Sequence, residues 1–204
     1  MIGKKGFKTV DVPSWEEVLR CWKHSKRLYK KKKIDLRQLT LLGFIFFTGR
    51  RLNEILKLKI SDIDLKNEYY KCRVEKKSKS ERHDVIRIFP LPKILIPVLN
   101  EYLKDKSNKE AWLFPSKTNP SCPYPERSAR ELVYRITEKA LGRRIRPHAF
   151  RHAVAIRLVS KKVPMEYIRR ILAHSTYEPT KWYLNVTVQD IKVEFNQALF
   201  EEEI

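Results

Sequence analysis

The chain reads as mainly α-helical with one small antiparallel β-sheet, and three observations carry that reading. Capped segments of helical periodicity recur along most of the 204 residues. A single pair of strand-like segments, Tyr69 to Glu75 and Val85 to Pro90, flanks the lysine-rich turn Lys76-Lys77-Ser78-Lys79-Ser80-Glu81. No linker, internal repeat or low-complexity segment beyond the run Lys30 to Lys33 breaks the pattern. One domain over residues 14–204, preceded by an N-terminal extension over 1–13, therefore accounts for the length.

Ser14 with Glu17, and Asp35 with Gln38, have the spacing of capping boxes, in which each side chain satisfies a free backbone N–H of the other residue. The first pair opens an amphipathic helix. The second opens a helix through Leu39 to Phe47 that is apolar on nearly every side and so belongs at the centre of the core. Pro92 opens a helix to about Asp105, and Trp112-Leu113-Phe114-Pro115 is a short extended piece. Pro125 to Leu141 is a helix ended by Gly142. Pro147 suits a first helical position and an apolar run follows it, so a helix begins at Arg146-Pro147-His148. Pro164 starts another, running through Ile171-Leu172-Ala173 and delivering His174 at its end. A short helix from Glu178-Pro179-Thr180 carries Tyr183, and Val188 to Leu199 forms a final amphipathic helix.

Lys and Arg number 44 against 24 Asp and Glu, a formal net charge of +20 with a pI near 9.9. Such an imbalance suits a polyanionic partner, because neutralising phosphates releases condensed counterions, so nucleic acid is the expected ligand. The basic residues cluster at Lys30 to Lys33, Lys76 to Lys79 and Arg143 to Arg146, between apolar segments, as on the charged face of a folded domain. The first cluster alone reads as a solvated loop.

Cys21, Cys72 and Cys122 are odd in number, widely spaced and form no Cys-x-x-Cys pair, which points to neither a disulfide framework nor a cysteine zinc site. His148 and His152 lie four apart, as in zinc peptidases, but Ala149 stands where a catalytic Glu is required, so no metal and no cofactor are expected. No apolar stretch approaches the ~18 residues of a membrane span, and Met1-Ile2-Gly3-Lys4-Lys5 lacks the apolar region of a signal peptide. A cytoplasmic, nucleoid-associated location follows as the expectation, in the host cell if the source is viral.

Three-residue spacing puts His148 and Arg151 on one helix face. With Arg51 upstream and His174 and Tyr183 downstream, the chain carries, in order, groups able to hold a phosphodiester and attack it. A lone Tyr on an amphipathic helix is usually a packing residue; its ordered company makes Tyr183 a site residue.

His148-x-x-Arg151, Leu172-Ala173-His174-Ser175 and Tyr183 resemble the signature of the tyrosine recombinases, the phage-integrase family. Thr48-Gly49-Arg50-Arg51-Leu52-Asn53-Glu54, followed by Ser61-Asp62-Ile63-Asp64, is similar to that family's first conserved box, whose catalytic Arg maps to Arg51. The similarity runs from about Ser14 to Phe195. Two departures stand out: Ala173 in place of the usual Gly, and Arg50 in place of the usual apolar residue. Typical members also carry an N-terminal core-binding domain that finds no counterpart in this sequence.

The resemblance implies the tyrosine-recombinase catalytic-domain fold and a DNA-breaking and rejoining activity. Arg51 and Arg151 would grip the non-bridging oxygens, His148 act as base, His174 donate a hydrogen bond and Tyr183 attack the phosphorus. The family's catalytic Lys lies on the hairpin after the first box. Lys77 is the best match, with Lys76 and Lys79 also open, and it would protonate the leaving 5′ oxygen. Arg50, Lys76, Lys79, Arg143, Arg144 and Arg146 are the expected contacts to double-stranded DNA. The final helix would dock on a neighbouring subunit of a homotetramer. Two rival functions remain: a recombinase-derived DNA-binding or regulatory module without strand exchange, and a type IB topoisomerase-like nicking and resealing enzyme. The latter gains if Val188 to Leu199 packs on its own domain.

Overall fold

The computed structural model describes residues 11–74, 85–172, 192 and 195–199. Among them are the helices α1 (Trp15–Lys30), α2 (Leu36–Phe47), α3 (Leu52–Leu56), α4 (Ile96–Leu103), α5 (Glu126–Leu141), α6 (Pro147–Ser160) and α7 (Met165–Leu172) and a three-stranded sheet, which meets the helices chiefly through α3. Its strands β1 (Ile63–Asp64), β2 (Tyr69–Val74) and β3 (Val85–Pro90) are antiparallel in the order 1-2-3. No helix of the described residues is long and apolar enough to cross a membrane.

The capping expectations hold atom by atom. Ser14 Oγ accepts from the Glu17 N–H at 3.3 Å while Glu17 accepts from the Ser14 N–H at 3.0 Å. Asp35 and Gln38 make the same reciprocal pair at 2.7 and 3.1 Å. Gly142 ends α5 at φ +75, the left-handed conformation that costs a residue without Cβ least.

α2 is the axis of the core: Leu39 through Phe47 are all buried, and the helix packs on α1, α4 and α6. Its aromatic rings reach α1, α6, the sheet and the Trp112 to Pro115 piece. Phe47 meets Trp15 and Trp22 of α1, Phe44 meets Tyr70 of β2 and Phe114, and Phe46 lies 4.5 Å from Phe150 of α6, centroid to centroid. Gly43 marks a close approach, since a Cβ there would overlap Leu95 Cδ2 and crowd the Trp22 ring, so Leu95 would have to shift.

Two elements bear on the sequence expectation in opposite ways. The helix expected from Pro92 begins as a 3-10 turn over Lys93–Leu95 and becomes α-helical only as α4. Pro97 has no N–H to give to the Lys93 carbonyl, so the tighter i→i+3 bond of Leu95 to Pro92, 2.9 Å, takes the first turn. The Trp112 to Pro115 piece is extended as expected, bridging Lys59 at Trp112 and Pro123 at Pro115.

Of the expected C-terminal helix, residue 192 and residues 195–199 are described, and these are helical. They seat on their own domain. Phe195, Ala198 and Leu199 are buried, the Lys93 N–H donates to Asn196 Oδ1 at 2.9 Å, and Arg157 Nε donates to the Ala198 carbonyl at 3.0 Å. Lys192 pairs with Glu68.

Candidate active site

The site is built around the turn Thr48-Gly49-Arg50-Arg51 between α2 and α3. Thr48 Oγ1 donates back to the Phe44 carbonyl at 2.6 Å and accepts from the Arg50 N–H at 3.3 Å, which folds the chain over the end of α2. Gly49 takes φ +65, and a Cβ there would also press to 2.8 Å from Leu172 Cδ2, so both conformation and space demand glycine. Arg51 then caps α3. Glu54 closes the box by accepting from the Arg51 N–H at 3.1 Å with one oxygen and from Arg51 Nη1 at 2.8 Å with the other. That carboxylate is almost wholly buried, whereas the Arg51 side chain keeps 32% of its surface exposed.

α6 brings the second arginine. Pro147 sits in its first turn, His148 follows on the exposed side, and Arg151 points inward, buried to 4% exposure. Arg151 Nη1 donates to the Gly49 carbonyl at 2.7 Å, which ties α6 to the arginine-bearing turn. Burial lowers the Arg151 pKa to about 10, with the neighbouring charges of Arg50 and Arg51 adding to the effect, while Glu54 opposes it. The group stays cationic at neutral pH. Three guanidiniums around one carboxylate leave surplus positive charge, which an anion would relieve.

The His148 ring stands edge-on to His152, centroids 4.7 Å apart. Partial desolvation pushes its pKa below the usual value, and the positive fields of His152, Arg151 and Arg51 push the same way. A neutral imidazole at physiological pH is the form able to accept a proton. Among the described residues no group of three His, Cys, Asp or Glu is placed to hold a metal ion.

The other expected residues divide sharply. Arg50 is corrected: its side chain is 0% exposed, with the guanidinium carbon 4.0 Å from the Phe89 ring centroid, so it faces the core and not DNA. Arg143 is held on α1 by Glu17 at 2.6 and 2.8 Å and by Asp11 at 3.0 and 3.2 Å, and these partners raise its pKa. Arg144 pairs with Glu131 at 3.0 Å and lies over Tyr134. Arg146 is exposed at the N-cap of α6. Lys76, Lys77 and Lys79, His174, and Tyr183 with the short helix expected to carry it lie outside the described residues.

Sequence reasoning missed the Gly49 carbonyl, which binds Arg151 across the fold. It also missed the inward turn of Arg50. The positive φ that a Gly after Thr48 permits was the available signal for the first; the signal for the second was the resemblance itself, which has an apolar residue where this chain has Arg50.

This arrangement can grip a tetrahedral anion between a partly exposed and a buried guanidinium with a neutral imidazole alongside. The chain belongs to the phage integrase family, whose model matches residues 15–190. A tyrosine recombinase of Thermosipho africanus is 26% identical over 156 residues, 76% of this chain and 52% of that protein. The tyrosine recombinase XerA of Pyrococcus horikoshii is 27% identical, over 98% of this chain and 72% of that protein. The chain thus spans little more than half of the Thermosipho relative. Among solved structures, an integrase from mycobacterium phage Brujita superposes with a TM-score of 0.72 at 18% identity, covering 97% of this chain and 62% of that one. XerA recombinase gives 0.65 at 22%, over 91% and 64% of the two chains, and these two likenesses establish the shared fold. The XerH site-specific recombinase bound to its difH substrate gives 0.63 at 25%, over 86% and 50%.

Proposed function

We propose that this chain cleaves and rejoins double-stranded DNA as a site-specific recombinase of a mobile element such as a virus or plasmid. The observation that carries the reading is the Arg51–Arg151 pair, held in one place by Glu54 and the Gly49 carbonyl, with His148 beside it. Two guanidiniums can bind the non-bridging oxygens of a phosphodiester and stabilise the charge that builds in the trigonal-bipyramidal transition state.

In the proposed reaction the Tyr183 hydroxyl attacks phosphorus and gives its proton to His148, while His174 donates a hydrogen bond to the phosphate. The bond to the 5′ oxygen breaks, and that oxygen leaves with a proton from Lys77, for which Lys76 and Lys79 are the alternatives. A 3′-phosphotyrosyl ester remains. Its bond energy is conserved, so a second 5′ hydroxyl can displace Tyr183 without ATP. Arg146 and Arg144, beside the catalytic turn of α6, with Lys76 and Lys79 of the hairpin, would follow the flanking backbone.

A second reading is favoured by one observation. Residues 195–199 bury their apolar side chains on their own domain, a packing that suits a monomer that nicks and reseals; exchange within a tetramer would have that segment dock on a neighbouring subunit. The deciding experiment incubates the full chain with nicked suicide duplexes from the element's attachment region and resolves covalent adducts on a denaturing gel. An adduct lost in Tyr183→Phe supports cleavage, and recombinant product from two duplexes then separates exchange from resealing. Salt-sensitive binding without any adduct would leave only a DNA-binding module.

A further inference from the structure

Arg50 and Arg51 are adjacent in sequence and point apart. The Arg50 side chain is fully enclosed and touches three separate elements: the Phe89 ring of β3 at 4.0 Å, Glu54 Oε2 of α3 at 3.9 Å from Nη1, and the Ile171 carbonyl of α7, which accepts from Nη2. Its Nε and Nη1 find no hydrogen-bond acceptor among the described residues. A buried cation so incompletely satisfied is a poor stability device, since apolar replacements of buried ion pairs are often neutral or stabilising. Its value must lie in what it holds in place.

What it holds is the last described turn of α7. The Ile171 carbonyl receives a charged donor from across the fold, a bond stronger than one between neutral groups, and it ties that turn to the segment carrying Arg50. Gly49 seats against Leu172 in the same turn, and its carbonyl holds Arg151. The four-residue turn therefore joins α3, α6 and the end of α7 at one point. Three residues beyond Ile171 the chain reaches His174, and Tyr183 follows.

We propose that Arg50 is a positioning residue: it locks the end of α7 onto the turn that carries Arg51, and so fixes where the His174 and Tyr183 segment begins relative to the two phosphate-gripping arginines. The inference rests on the proposed DNA-cleaving reading for its chemical consequence, but not for its structural one. Arg50 itself touches no DNA. It acts through the Ile171 carbonyl, and only a side chain that donates a hydrogen bond with that reach can replace it.

The test compares Arg50→Met, which keeps the bulk and removes the donor, with Arg50→Lys, which keeps a charged donor. Amide hydrogen exchange on the full chain reads the last turn of α7 directly, and single-turnover adduct formation on the nicked duplex reads the chemistry. Arg50→Met should exchange faster at residues 169–172 while the amides of α2 stay protected. It should also cleave on the order of 10–100-fold more slowly, as small misplacements of reacting groups do, with the duplex Kd within about twofold because every residue that would grip phosphate is still present. Arg50→Lys should recover part of both. Unchanged exchange at 169–172 in Arg50→Met overturns the proposal, whether or not the wild type forms an adduct. So does protection lost uniformly across the chain, which marks a general structural role, or a wild-type cleavage rate in Arg50→Met. A wild type without adduct, combined with local loosening of α7 in Arg50→Met, overturns the enzymatic reading and leaves the latch standing.

Discussion

The turn Thr48 to Arg51 and the loop Arg143 to Arg146 are both short, arginine-rich connections leading into a helix, and the fold treats them oppositely. In the first, each guanidinium is fixed by buried partners: Arg50 by Phe89 and the Ile171 carbonyl, Arg51 by Glu54. In the second, Arg143 and Arg144 pair with the exposed or part-exposed carboxylates of Asp11, Glu17 and Glu131, and Arg146 faces solvent. Charge density in sequence is similar in the two regions. What separates them is low-dielectric surroundings with a single internal counter-charge, which preorganises a cation and strengthens its hold on an anion. The exposed cluster can supply only screened attraction.

That contrast is open to being broken at its strongest point. Arg151→Ala should lower single-turnover cleavage by ~10²–10³-fold, the usual cost of one preorganised oxyanion donor, while the duplex still binds. Arg146→Ala, measured alongside, should leave cleavage at saturating DNA near wild type. Equal losses in both variants would erase the distinction between grip and attraction.

Glu54→Gln comes next. It leaves Arg51 and the buried Arg50 without their shared carboxylate, and removing one partner of a buried ion pair costs about 3 kcal/mol. For a domain of this size the melting temperature should fall by roughly 6–12 °C, read by thermal unfolding. An unchanged melting temperature would mean that the carboxylate does not neutralise the pair. Arg144→Ala and Arg146→Ala together belong lower on the scale: weaker duplex binding, and a salt-dependence slope reduced by about one for each phosphate no longer neutralised. Fluorescence titration across a salt series checks it, and a slope that does not move removes both residues from the DNA interface.

The same contrast explains what could be read from sequence. Helix ends written in local chemistry were legible: Ser14 with Glu17, Asp35 with Gln38, Gly142 and Pro147 all act within a few residues of themselves. α3 and β1, of five and two residues, are too short to carry a period. The delayed start of α4 follows from a missing N–H at Pro97, which was present in the sequence but outweighed by Pro92 as a start signal. The spacing of His148 and Arg151 gave their shared helix. Their meeting with Arg51 came through motif resemblance, because the bond that makes it, Arg151 to Gly49, spans 102 positions. Arg50 was misread for the same reason: its direction is set by Phe89 and Ile171, the latter 121 positions away, and the one hint was the apolar residue that the family usually has at that position.

The smallest effect concerns protons. Because the His148 pKa is depressed below its ordinary 6.5, the imidazole remains a base at pH values where a free histidine is already half charged. The acid limb of the cleavage profile should therefore lie below pH 6.5. Its stability signature has a definite sign: above the unfolded value neither state binds the proton and His148 contributes nothing, whereas on falling below it the unfolded chain protonates first and the fold loses stability. His152→Asn removes the largest of the charges acting on His148. The limb should then move upward in pH, and the His148 ring resonance should titrate higher in NMR. Arg146→Ala, although next but one in the chain, should move both less, since Arg146 is exposed and its charge is screened by solvent. A His148 that titrates identically in wild type and His152→Asn would show that His152 does not act on it, and would leave desolvation together with the charges of Arg151 and Arg51 as what lowers its proton affinity.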